Sequence, residues 1–387
     1  MEHIHDHSHD AVVFGSDAEL RILAIDIGAG TQDILIYESG KPIENCAKLI
    51  LPSQTQIVAA RIRSVTSQRK PLHLSGRLMG GGASSGAIAA HVAAGLPVTA
   101  TKDAARTIHN RPERVAASGV QIAEAAPEGA VAVEMGDVDQ EHLRAGLSFF
   151  GVALPDRFAI AVQDHGFRPG AGNNEVRFAY LQSLLDGGGD LAGMVFEQAP
   201  PDMTRMAAVE SEIPGVYLMD TGAAAVLGVL GDPVVAEAVE TTGALIVNFG
   251  NMHTFGSLVK RRRMYGLFEH HTGGMTAALA KELIDGLQAG TIDATRFVSE
   301  FDGHGAALSA DYANEEPFPF VAVTGPNRGI ARELGYYQAA PHGDMMLTGA
   351  FGLVEGVRLA MERAQESSAR GSTGLKSSAD KTKSLRD

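Results

Sequence analysis

In the stretch RILAIDIGAGTQDILIYESG (residues 21–40), Leu23, Ile25 and Ile27 alternate with Ala24, Asp26 and Gly28, and Ile34, Leu35, Ile36 and Tyr37 resume after a glycine-rich turn. Alternation followed by β-branched and aromatic residues predicts two strands joined by a turn at residues 28–32, a β-hairpin. No helix follows the glycines, Asp33 stands where the third glycine of a GxGxxG pattern belongs, and no Lys-Ser/Thr pair closes the loop. Both the dinucleotide fingerprint and the P-loop are thereby excluded. A second unit of the same design, ALIVNFGNMHTFGSLVK (residues 244–260), lies about 220 residues later, so the chain reads as two related halves. Its turn holds Asn251, Met252 and His253.

Between the hairpins the pattern is mixed α/β. Residues 157–170 read as a buried strand ending in a polar loop, and NNEVRFAYLQSLLDGGG as a helix stopped by glycines. Residues 215–232 give a strand, then Asp220 and Thr221 at a helix start, then an Ala/Leu-rich helix ending near Gly231. Residues 320–335 repeat the strand–turn–helix logic, with Gly325 and Pro326 at the junction. The segment PHGDMMLTGAFGLVEGVRLAMERA predicts a small-residue-rich helix whose glycines permit close packing.

The 387 residues suffice for two cores and a cleft. A net charge of −14 argues against nucleic acid or an anionic membrane as partner. The one basic run, KRRRM (residues 260–264), reads as a strand end or turn. A single cysteine, Cys46, excludes a disulfide framework and a thiolate-held iron–sulfur cluster within one chain. No apolar stretch has membrane-spanning length and the N-terminus lacks a secretion signal, so the expected location is cytoplasmic. His3, His5, His7 and His9 alternate in that N-terminus, as a metal-sticky tail or an imidazole cluster. Polar composition predicts disorder at residues 1–20 and 367–387.

Five motifs in order, LAIDIGAGTQD, MDTGAAAVLGVL, IVNFGNMHT, VAVTGPNRGIAREL and MLTGAFGLVEGV, resemble the phosphate-1, connect-1, phosphate-2, adenosine and connect-2 elements of the actin-like ATPase superfamily of actin, heat-shock chaperone ATPases and sugar kinases. The resemblance covers residues 21–363. More narrowly, MGGG, QDHG, DTGAAA, EHHTG, VTGPNR and TGAFGL resemble an uncharacterised prokaryotic family labelled as related to pyruvate formate-lyase activating enzyme. That label conflicts with a chain offering only Cys46.

The superfamily resemblance implies an α/β fold of two ribonuclease H-like domains around an interdomain nucleotide cleft. The first domain would span residues 21–225, completed by 342–366, and the second 226–341. ATP and Mg2+ are the implied cofactors. Asp26 and Asn248 would serve the metal; Gly28, Gly30, Thr31, Gly250, Asn251, His253 and Thr254 the phosphates; Gly325, Asn327 and Arg328 the adenosine. Each glycine turn also reads as a plain hairpin, and the Gly325 segment as an ordinary strand-to-helix turn. Asp33 reads as a turn cap. Asp220 matches the connect-1 position that orients a nucleophile, and equally reads as a helix N-cap. Asp164, also a candidate catalytic acid, falls with His165 in QDHG and stands with Glu269, His270 and His271 of EHHT as a group that suits a metal or an acidic or hydroxylated substrate. The loop LMGGGASS adds an anion-site geometry or a tight turn, with Ser84 or Ser85 as helix cap. Three functions remain open: ATP hydrolysis with domain closure, a small-molecule kinase, or a non-hydrolysing nucleotide sensor with a small-molecule or protein partner.

Overall fold

The computed structural model describes residues 20–293 and 304–383; the N-terminal tail lies, apart from Leu20, outside the described residues. The chain opens with strands β1 (Arg21–Ile27), β2 (Thr31–Glu38) and β3 (Ala47–Pro52). It then makes a separate parallel sheet from β4 (Leu72–Gly76), β5 (Val98–Ala100), β6 (Val120–Ile122) and β7 (Val131–Met135), in the order β6-β5-β4-β7. Strands β8 (Phe158–Val162) and β9 (Tyr217–Met219) return to complete a first sheet ordered β3-β2-β1-β8-β9. The second half lays down β10 (Ala244–Phe249), β11 (His253–Lys260), β12 (Arg263–His271), β13 (Gly305–Leu308), β14 (Phe320–Thr324) and β15 (Tyr337–Gln338). These form a sheet ordered β13-β12-β11-β10-β14-β15.

The two large sheets repeat one plan. In each, an antiparallel hairpin (β1–β2, β10–β11) continues into a third antiparallel strand, and the first strand of the hairpin also pairs in parallel with a later one (β8, β14). This duplicated arrangement is the two-unit ribonuclease H-like architecture of the actin-like ATPase fold. The turns are equal in length: three residues separate β1 from β2 and β10 from β11, and Gly28 N–H donates to Thr31 O as Gly250 N–H donates to His253 O, each at 2.9 Å.

Alternation along β1 sorts its side chains between two layers, as expected of a strand buried on both faces. Leu23, Ile25 and Ile27 pack with Leu143, Leu147, Met203 and Met206. Ile22 and Ala24 face a central core of Ala224, Leu227, Leu353 and Val357, which Ala244, Ile246 and Ala322 of the second sheet also join. That core holds the helices Thr221–Val229 and Thr348–Lys383. They cross where Gly228 and Gly352 meet backbone: a Cβ on Gly228 would lie 1.7 Å from Thr348 O, and one on Gly352 1.8 Å from Ala224 O.

Three local expectations are corrected. The stretch after β14 is a 3-10 helix, Arg328–Leu334, not an α-helix. The last helix begins at Thr348, after a separate 3-10 turn at Pro341–Gly343 with His342 at φ 50°. It continues to Lys383, so residues 367–383 are helical where polar composition predicted disorder; extending an anchored, proline-free helix costs far less than starting one. Among the described residues no single helix is long and apolar enough to cross a membrane.

Candidate functional site

The C-terminal ends of β1 and β10 bring both hairpin turns to one cleft of about 380 Å³ between the two units. Asp26, Gly28, Thr31, Asn248, Gly250, Asn251, His253 and Gly325 line it, together with Asp164, His165 and Glu269. Gly30 lies behind Asn251, whose Nδ2 would be 2.9 Å from a Cβ there, so the two turns touch. Gly325 takes φ +91° with Asn248 Oδ1 2.4 Å from where its Cβ would stand, which explains glycine at that junction.

Asp26 and Asp33 are direct partners across the β1–β2 hairpin, and both line the cleft. Each has a buried Oδ1 without a hydrogen-bond partner among the described residues. Asp26 Oδ2 rests on Gly349, leaving no room for a Cβ. Burial, then the charges of Asp33 and Asp220, push the Asp26 carboxyl well above its usual range. Burial likewise raises Asp33 to about 6, against a hydrogen bond from Thr31 that lowers it. Sequence reading gave Asp33 only a turn-capping role; its in-register position opposite Asp26 is the signal that marks it. The second unit has Asn248 opposite Phe255 at the equivalent place, so the acidic pair belongs to the first unit alone.

The two acids expected to be catalytic are committed elsewhere. Asp220 Oδ1 accepts from Gly222 N–H at 2.9 Å, the N-cap of the Thr221–Val229 helix. Arg177 grips the same carboxylate, Nη1 donating to Oδ2 at 2.6 Å and Nη2 to Oδ1 at 3.1 Å. Asp220 does not line the cleft. Asp164 accepts from the backbone N–H groups of Gly166, Arg205 and Met206 at 2.7–2.9 Å. Burial raises its pKa although those donors pull it down. Both carboxylates thus hold backbone, Asp164 at the cleft wall and Asp220 behind it.

Arg177, which sequence reading passed over, joins the units. Its Nε donates to Glu269 Oε2 at 2.7 Å, so one buried guanidinium bridges Asp220 of the first unit and Glu269 on β12. Burial alone would lower its pKa; Asp220 and Glu269 more than offset that and keep it charged. Gln163 Nε2 also donates to Glu269 Oε1. The QDHG and EHHT clusters therefore do face each other. Arg205, also missed, makes a two-bond fork to Asp137 at 2.7 Å and lines the cleft beside Gly80.

The remaining expected residues turn away from the cleft. Thr254 is buried with its hydroxyl 3.1 Å from that of Thr272. Asn327 Nδ2 donates to Gly250 O at 2.8 Å, Arg328 Nη1 folds back on Gly325 O at 3.2 Å, and neither residue lines the cleft. His270 Nδ1 bonds His271 O, and exposed His271 meets His304, Nε2 to Nε2, at 2.9 Å. In the MGGG loop neither serine caps the helix Gly82–Ala93; Thr55 Oγ1 accepts from Ser84 N–H, while Ser84 Oγ donates to Gly81 O. Burial, then the Arg177 charge, lowers the pKa of His165 to about 4, while burial and then repulsion from neighbouring histidines lower His304 to about 3 and His253 to about 2.

Residues 79–330 match the family described as "Putative pyruvate format-lyase activating enzyme (DUF1786)". The chain belongs to the DUF1786 family. The DUF1786 span takes in the MGGG loop, both histidine-bearing clusters and Gly325, and begins after the Asp26–Asp33 hairpin. The radical activase chemistry in that description needs a thiolate-held cluster, whereas the sole cysteine, Cys46, is buried with its Sγ 3.8 Å from Pro42 O. No curated protein matches the sequence. Among solved structures, the ethanolamine utilization protein EutJ from Carboxydothermus hydrogenoformans is 11% identical over 86% of this chain and 89% of its own, with a TM-score of 0.31. A Bacteroides thetaiotaomicron protein with an actin-like ATPase fold and unknown function is 8% identical over 88% and 98%, with a TM-score of 0.34. The fold assignment rests on the duplicated strand order.

Proposed function

We propose that the cleft binds a magnesium nucleoside triphosphate, ATP by the superfamily resemblance, with its phosphates between the two hairpin turns. The observation that carries this reading is the pair of orphaned carboxylate oxygens, Asp26 Oδ1 and Asp33 Oδ1, beside the first glycine turn. Two hard oxygen donors on adjoining strands suit Mg2+, which takes one or two carboxylates and keeps waters. The turns suit phosphate because their glycines leave the backbone bare at the cleft wall. When bound, the ion offsets charge on the phosphate oxygens. The chain's own residues then have distinct tasks: Asp26 and Asp33 give up their protons and hold the cation, Arg205 supplies fixed positive charge, and Gly325 leaves space beside Asn248.

The moving bodies in this reading are residues 21–225 with 342–366, and residues 226–341. Closure around the nucleotide is held by Arg177 and Gln163 on Glu269, so hydrolysis or γ-phosphate transfer is coupled to making and breaking that contact. A second reading, a nucleotide-dependent sensor, is favoured by one observation: Asp220 and Asp164 are both occupied by backbone and guanidinium donors, which leaves the attacking group without a free general base. Calorimetry of Mg-ATP with the full chain and with Asp26→Ala, paired with an ADP-release screen across hydroxylated and carboxylate metabolites, tests both. Binding lost in Asp26→Ala with metabolite-stimulated ADP release supports the transferase; binding without turnover supports the sensor; equal affinity in both proteins sinks the proposal.

A further inference from the structure

Three histidines from distant parts of the chain converge beside the cleft: His165 after β8, His253 at the start of β11, and His304 just before β13. One nitrogen of each lies within 4.8 Å of those of the other two. Their ring centroids stand 4.6 Å (His253–His304), 5.3 Å (His165–His304) and 6.0 Å (His165–His253) apart. A buried polar atom ordinarily finds a hydrogen-bond partner. His304 Nδ1 is buried without one, the nearest carboxylate oxygen, Glu269 Oε1, being 3.7 Å away.

We propose that His165, His253 and His304 form a three-nitrogen site for a zinc-class divalent cation, with an open coordination position toward the cleft. Imidazole nitrogen selects zinc, copper or nickel over magnesium, so this set is chemically separate from the Asp26–Asp33 oxygens. Three protein ligands and one open position are the hallmark of reactive rather than structural zinc sites. Two of the three rings, His165 and His253, line the cleft, which directs the open position to whatever occupies it. Nitrogens about 2.0–2.1 Å from a tetrahedral ion stand about 3.4 Å apart, a spacing that small side-chain rotations of these two partly exposed rings reach. His271, 2.9 Å from His304 Nε2, is the outer partner that fixes the His304 ring. Since His165 comes from the first unit and His253 and His304 from the second, the cation clips the units together.

The test uses the full-length chain with His3, His5, His7 and His9 changed to alanine, which removes the adventitious ligands of the tail. Zinc is titrated against a chromophoric chelator, and cobalt(II) is added to a parallel sample for absorption spectroscopy. A single tight equivalent of zinc is expected. His304→Ala and His165→Ala should each weaken it by more than about 100-fold, and His271→Ala by about 10–100-fold as an outer partner does. His142→Ala, on the surface, should leave it unchanged. Zinc affinity at the parent level in both His304→Ala and His165→Ala, or no tight equivalent in the tail-substituted chain, overturns the proposal. The cobalt spectrum needs no site variant: intense visible bands of a four-coordinate nitrogen site support it, and the pale spectrum of aquated cobalt overturns it.

Discussion

Asp33 and Asp26 face each other with unsatisfied oxygens, and that single pairing carries opposite consequences for stability and for binding. An unfolded chain releases the Asp33 proton near pH ~4, whereas the folded protein keeps it to about 6. The folded state therefore binds more protons across that window, and stability falls as pH rises through it. Asp33→Asn should flatten this fall in melting temperature between pH 4 and 7, measured by calorimetry, while weakening Mg-nucleotide binding. A variant that loses both stability and binding would show that Asp33 is structural. In the wild type, cation affinity should climb as pH rises through about 6, because the metal competes with that proton. For Asp220→Asn, the Arg177 fork and the helix cap predict a loss of about 1–3 kcal/mol in denaturant titration. Nucleotide affinity should stay within a few-fold. A collapse of single-turnover rate without any loss of stability would return Asp220 to a catalytic role. Asp26 was singled out by the family resemblance, and the structure sets it at the cleft wall. Asp33, Arg177 and Arg205 were not legible, because their meaning depends on partners 7, 92 and 68 positions away.

The elements most legible in the sequence are those whose period is local. Both hairpins, β8, and the helices Asn173–Asp186 and Thr221–Val229 stand where alternation and capping residues put them. The inserted sheet was not legible: β5 and β6 are three residues each, too short for alternation to register, and they are held by parallel neighbours rather than by turns. The glycines of the last helix signalled close packing, and the structure gives the contact. At Gly352 a methyl group would meet the Ala224 carbonyl at 1.8 Å. Backbone cannot yield as a side-chain tip does, so Gly352→Ala should cost about 1–3 kcal/mol or more, read as a lower denaturation midpoint. Gly286→Ala, with nothing within 4 Å of the added carbon in the helix Ala277–Gln288, should be neutral to stabilising. Equal midpoints for the two variants would refute the packing account.

Across the whole molecule, the Asp220–Arg177–Glu269 bridge sets how the halves meet. Arg177→Met strands two buried carboxylates and should cost about 3–5 kcal/mol. Adding Asp220→Asn and Glu269→Gln should recover part of that loss in the same denaturant titration. No recovery would mean that Arg177 acts through packing alone. The helix beginning at Thr348 has a consequence for how the protein is made. It packs on β1, β2 and β8 and crosses the Thr221–Val229 helix, yet it leaves the ribosome about 130 residues after Met219 closes the first sheet. At ~5–20 residues per second, the nascent first half waits ~6–26 s with its alanine- and leucine-lined face uncovered. Such an interval is long enough for a holdase to bind, so stalled ribosomes bearing residues 1–340 should carry chaperone that chains released at full length do not. Translation speed through the second half thus becomes a determinant of yield: slow codons there prolong the exposure, and fast ones shorten it.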